Sequence, residues 1–145
     1  MSLSEGIVAQ LTASNGGDAI DTYVSGRIFY DDAPPDMSMI PCITYAFVGG
    51  SASAPTFNTS GVIKSRLELN ALAVQPDAAN NLQPGEVANA IRSAIIQRLN
   101  GWKQTLSDGT NVLSAILVNP GTDFSTEQRV FRRMCEFRIS YSLPS

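Results

Sequence analysis

The sequence predicts an α+β fold, a mostly antiparallel β-sheet with one long helix and a short N-terminal helix packed on one face. Three stretches lead to that reading. Between residues 84 and 102, Val87, Ala88, Ile91, Ala94, Ile95, Leu99 and Trp102 recur every three or four residues, lining one side of a helix. Between 63 and 73, Ile63, Ser65, Leu67, Leu69, Ala71 and Ala73 alternate with Lys64, Arg66, Glu68 and Asn70, the two-residue period of a half-buried strand. Near the end, Phe131, Cys135, Phe137, Ile139 and Tyr141 share one face and Arg132, Glu136, Arg138 and Ser140 the other. The helix has an apolar stripe to bury, and the strands supply a face to receive it.

The remaining elements follow in order. Ser2 and Glu5 have capping-box spacing, and Leu3, Ile7, Val8 and Leu11 then define a short helix to about Ala13, weakened at Gly6. Asp18 is placed to cap a second short turn through Ile20, Tyr23 and Val24 that Gly26 ends. Arg27 to Tyr30 reads as a brief strand, and Asp31-Asp32-Ala33-Pro34-Pro35-Asp36 as a rigid acidic connector, because two prolines remove two donors. Residues 42–48, rich in β-branched and aromatic side chains, form the next strand. Residues 49–61, mostly Gly, Ser, Ala and Thr around a single aromatic, Phe57, read as a long loop, and 75–83 as a polar connector. Pro84 and Glu86 mark the start of the long helix, Arg98 its last turn and Gly101 its stop. Ser107-Asp108-Gly109-Thr110 is a tight turn into a strand over 112–118, broken by Asn119-Pro120-Gly121, and the last strand begins near Thr126.

A chain of 145 residues with 43% apolar and 16% charged side chains is expected to be one domain, residues 1–145. Its net charge is −3, unevenly spread. Residues 1–63 hold six acids (Glu5, Asp18, Asp21, Asp31, Asp32, Asp36) against Arg27 alone, for −5, while residues 64–145 hold seven acids and nine bases, for +2. Such halves can meet head to tail between copies, or stand as two separately solvated surfaces. With no apolar N-terminal run long enough for a signal peptide and no span of eighteen apolar residues, a protein made and kept in the cytosol is expected. Cys42 and Cys135, each inside a strand-like run, read as buried reduced thiols.

The search for chemistry returns little. With no histidine, there is no histidine-based metal site and no Ser-His or Cys-His pair. Two isolated cysteines cannot make a structural zinc site, and the glycine pairs at 16–17 and 49–50 lack the spacing and lysine of a phosphate loop. No calcium-loop pattern fits Asp31, Asp32 and Asp36. The expectation is a non-enzyme with no cofactor and no metal. What stands out instead is basic: Arg129, Arg132 and Arg133 lead the last strand, and Lys64 and Arg66 are expected nearby on its neighbour. They fit a solvated sheet face or an ion-paired contact with another subunit better than a nucleic-acid grip, since no stacking aromatics interleave them.

The order of these segments resembles the tail completion, or tail-to-head joining, proteins of long-tailed bacteriophages, a group similar in fold to lambda-type tail terminators. The residues that carry the resemblance are Arg27-Ile28-Phe29-Tyr30, the Pro34 connector, Pro41-Cys42-Ile43-Thr44-Tyr45, Arg66 to Ala71, the helix ending near Leu99, and Arg132-Arg133 with Phe137 to Tyr141. Loop 49–61 and connector 75–83 depart from the pattern. The resemblance implies a structural virion protein without catalytic residues, assembled in the host cytoplasm. It would cap the head-proximal end of the tail as a homo-oligomeric ring, usually a hexamer. Its partners would be the tail tube protein and the head connector or stopper, with DNA passing through without sequence-specific binding and no membrane involved. Contacts with subunits or partners are expected at Asp31, Asp32, Asp36, Ser51, Phe57, Lys64, Arg66, Arg129, Arg132 and Arg133. The alternatives are a head-side connector or stopper of the same neck and, from another class, a small-molecule-binding domain or enzyme.

Overall fold

The computed structural model describes residues 3–12, 18–30, 41–48, 56–57, 62–74, 77–119, 121, 123–125 and 130–142. Eight strands form one sheet: β1 (Ile28–Tyr30), β2 (Cys42–Val48), β3 (Thr56–Phe57), β4 (Val62–Ala73), β5 (Gln104–Thr105), β6 (Asn111–Asn119), β7 (Asp123–Ser125) and β8 (Phe131–Ser142). The main path runs β1-β2-β4-β8-β6-β5, with β3 paired to β4 and β7 to β8. Every pairing is antiparallel except β1 with β2. The longest ladder pairs β4 with β8 along their full length, Val62 opposite Ser142 through Ala73 opposite Phe131. These strands carry the clearest alternation in the sequence, and they form the middle of the sheet.

On one side of that ladder lie α1 (Leu3–Thr12), a π-helical turn (Ile20–Val24) and α2 (Pro84–Leu99). Helix α2 packs on β4, β6 and β8, and α1 packs on α2. Val87, Ile91, Ile95 and Leu99 are buried against Leu67, Leu69, Cys135, Phe137 and Ile139. Each of those four contributes about 1.5–3 kcal/mol of gross burial, so this contact is the main source of tertiary stability for the helix. The helix starts as expected, with Pro84 in its first turn and the Gln83 N–H donating to Glu86 Oε1 at 3.2 Å. It stops at Leu99, because Asn100 turns extended and Gly101 takes φ +86°. Trp102, which continues the apolar stripe in sequence, therefore lies beyond the helix, though it is buried in the same core. Ile7 and Leu11 of α1 complete the layer, and Gly6 is small for a reason. A Cβ there would fall 2.8 Å from Leu106 Cδ1, so the glycine that weakens α1 also lets the β5–β6 hairpin approach it.

Several short elements are new. Residues 49–61 are not all loop, since β3 sets Phe57 opposite Ile63 and resumes along β4 the line that β2 leaves at Val48. In the same way β7 resumes along β8 the line that β6 leaves at Asn119, so the last strand proper starts at Phe131, and residues 126–129 lie outside the described residues. Gly121, between β6 and β7, has φ +100° and lies so close to the Met134 carbonyl that no side chain fits. The 75–83 connector contains a turn of 3-10 helix (Ala78–Asn80), held by the Asp77 carboxylate accepting from the Asn80 N–H at 3.3 Å and by Tyr23 Oη donating to Asp77 Oδ2 at 2.5 Å. Hydrogen bonds from Asn80 and Tyr23 hold the Asp77 carboxyl below the usual carboxylate range.

Candidate functional site

The sheet face turned away from the helices is the surface where this chain displays charge. Along it β4 presents Lys64, Arg66, Glu68 and Asn70, and β8 presents Arg132, Met134, Glu136, Arg138 and Ser140. Lys64, Arg66 and Arg138 are exposed. In the ladder Arg66 stands directly opposite Arg138, a like-charge pair, and its guanidinium instead reaches diagonally to Glu136, Nη2 to Oε2 at 2.7 Å. Toward the other end the same face turns apolar, where Cys42, Leu72 and Val130 form a small buried cluster with Phe29 and Val74 against it. Burial pushes the thiols of Cys42 and Cys135 up to about 12, so both cysteines are unreactive at neutral pH.

The expected basic cluster does not assemble as one group. Because β4 and β8 are antiparallel, Lys64 lies opposite Ser140, eight residues along β8 from Arg132, or about 26 Å at a strand's rise. Arg66 and Lys64 occupy one end of the sheet, and Arg132 and Arg133 the other. Arg132, opposite Leu72, is half-buried on the outer face. Arg133 points to the helix side, its guanidinium lying against Gly85 at the start of α2 and 5.8 Å from the Phe131 ring centre. Phe57 sits on β3, while Asp31, Asp32, Asp36, Ser51 and Arg129 lie outside the described residues.

A charged group that pattern reading places at a helix end proves to be central. Arg98 is 6% exposed. Its Nε and Nη2 donate to the two Asp18 carboxylate oxygens at 2.8 and 2.6 Å, Nη2 also reaches Asp21 Oδ1 at 3.1 Å, and Nη1 donates to the Leu11 carbonyl. Gln10 Nε2 in turn donates to the Arg98 carbonyl at 2.8 Å. Burial works against the guanidinium charge, and the bonds and charges of Asp18 and Asp21 outweigh it, so Arg98 is held protonated more firmly than usual. Asp18 does cap the following turn, accepting from the Ile20 and Asp21 N–H groups at 3.1 and 3.2 Å. Two of the six N-terminal acids are thus engaged inside the chain. Arg27 is engaged too, donating to the carbonyls of Pro41 at 3.0 Å and Tyr23 at 2.6 Å.

Among the described residues no three Cys, Asp or Glu side chains converge to hold a metal ion. A cavity of about 310 Å³ beside β5 and β6, lined by Lys103, Gln104, Thr105, Asn111, Val112 and Leu113, is an open groove at the edge of the sheet. The features that do suit a function are surfaces: a charged outer face, and two sheet edges on opposite sides of the molecule.

Similarity to other proteins agrees with that picture. No curated protein sequence matches the chain. A chain in the solved structure described as the virion of a native gene transfer agent particle has the same fold, with a TM-score of 0.69 at 16% identity, covering 97% of this chain and 94% of that one. The family model for tail completion protein gp17 matches residues 5–142, which include all eight strands. The chain belongs to the tail completion protein gp17 family and is a structural protein of the bacteriophage tail.

Proposed function

We propose that this protein caps the head-proximal end of the phage tail as a ring, six-fold in the virion, and joins the finished tail to the head connector. The family match over residues 5–142 carries the reading. A tail tube is a repeating stack, and a repeating stack grows until a component with a different outer face ends it. Completing a tail therefore calls for a subunit that docks on the tube through one surface and offers a new one to the head. A helix-covered sheet with a charged outer face and two unlike edges supplies such distinct surfaces. The charge supports a conduit for DNA rather than a grip on it: the net charge is −3, and Arg27, Arg66 and Arg98 are bound to groups of their own chain.

The test is electron microscopy of lysates from a phage lacking this gene. Filled heads beside unattached tails of irregular length are the expected result. Heads that have lost their DNA beside tails of normal length would assign the protein to the head side of the neck, and intact infectious virions would exclude both roles.

A further inference from the structure

Among the described residues, large apolar side chains are strongly exposed at three places: Tyr30 (57%), Ile116 (53%) and Val118 (38%). They are not scattered. Tyr30 ends β1, one terminal strand of the sheet path, while Ile116 and Val118 lie on β6 at the opposite side. The β6 edge is only partly closed there: β5 covers Asn111 and Val112, and farther along the Asn100–Gly101 turn bonds Leu117 and Ala115. Single exposed apolar residues need no explanation, but their confinement to two opposing edges in a protein read as a ring subunit is informative.

Their faces differ as well. Tyr30 pairs in register with Tyr45 and stacks edge-on against its ring at 5.3 Å, which puts it on the helix side of the sheet. Ile116 is opposite Arg138, on the outer side, with Val118 the extra residue of the bulge that follows. Two sheets continued edge to edge would keep these patches on opposite faces. Two sheets that overlap bring them together.

Resting on the ring reading above, we propose that neighbouring copies join head to tail like overlapping shingles, the helix-side surface at β1 of one copy lying on the outer surface of β6 of the next. The occupant of the β6 patch is thus a second copy of this chain. Charge favours that partner. The exposed Arg138 stands opposite Ile116, whereas Tyr30 is followed directly in sequence by Asp31-Asp32. Contact between unlike edges sets these charges against each other, while a two-fold contact between like edges would repel. A contact between two different surfaces is also the kind that closes a ring when its rotation divides a full turn, whereas a two-fold contact stops at a dimer.

The test compares the full-length wild type with Ile116→Asp and Tyr30→Asp, each supplied to a phage lacking its own copy. Ile116 is exposed and Ile116→Asp should melt within about 2 °C of wild type, while Tyr30→Asp, which also loses the stacking on Tyr45, should stay folded and melt within about 5 °C. Expected are rings on wild-type tail ends and a drop of about tenfold or more in ring-capped tails for either variant. An equimolar mixture of the purified variants, each keeping one intact edge, should give pairs by native mass spectrometry where neither variant alone does. Wild-type capping by either variant overturns the proposal. Loss confined to one of them does so too, pointing to a different tail protein on that edge. If wild-type tail ends carry no ring of copies, the ring reading itself fails and takes this contact with it.

Discussion

The two faces of the β4–β8 ladder share a backbone and differ in purpose. On the helix side Leu67, Leu69, Cys135, Phe137 and Ile139 are fully buried under α2, and Arg98, buried in that layer, is enclosed by two carboxylates and a carbonyl. On the outer side Arg66 keeps half its side chain in water even while bridging to Glu136. The helix side makes the subunit, and its residues answer to packing. Over Lys64, Arg66 and Arg138 the outer side is dispensable for folding, which leaves it to answer to whatever the subunit meets.

The sharpest way to break the first face is to remove volume at its centre. Phe137 is fully buried between the neighbouring strands and α2. Phe137→Ala should lower stability by about 3–5 kcal/mol, measured by urea unfolding of the purified protein, because the lost contacts and the cavity add. A cost under about 1 kcal/mol would mean that α2 is not seated on β8 as described.

Arg98→Met tests the same face through charge. The substitution keeps most of the volume and removes the guanidinium, leaving the Asp18 and Asp21 carboxylates without their cation and the Leu11 carbonyl without a donor. Breaking a buried pair from one side costs about 3 kcal/mol, or near 10 °C in melting temperature for a chain of this length. The loss should concentrate at the N-terminus, because Arg98 holds both α1 and the π-helical turn. Hydrogen exchange should show faster opening of residues 3–12 and 18–25 while the amides of β4 and β8 stay protected.

These two residues also mark where the sequence was legible. Phe137 could be placed from alternation alone, as could both faces of β4 and the apolar stripe of α2, because each periodic run is long enough to express a period. The arginine could not. Asp18 and Arg98 are eighty residues apart in sequence, and nothing local to either shows that they meet. Strands β3, β5 and β7 have two or three residues each and are too short to alternate. The bulges in β6 shift its register twice, so its uniform apolar run concealed which side chains face water. Trp102 misled for the opposite reason: it sits in the core but reaches it after the helix has ended, so helical spacing was met by coincidence. Lys64, Arg66, Arg132 and Arg133 were each assigned to a correct strand, yet strand direction put the two pairs at opposite ends of the sheet, and direction has no signature in composition.

The smallest expected effect sharpens the outer face. Arg66 and Glu136 form an ion pair at 2.7 Å with Arg66 about half exposed, and a pair so placed contributes about 0.2–1 kcal/mol at most. A double-mutant cycle of Arg66→Ala and Glu136→Ala should therefore give a coupling below about 1 kcal/mol, falling further as salt is raised. If the same variants leave the free subunit stable but reduce tail joining in the phage, the outer face is read by a partner. If joining is unchanged, Arg66 is only a solvated charge. A coupling of about 3 kcal/mol would overturn the comparison itself, since it would require an outer face shielded from water as thoroughly as the one beneath α2.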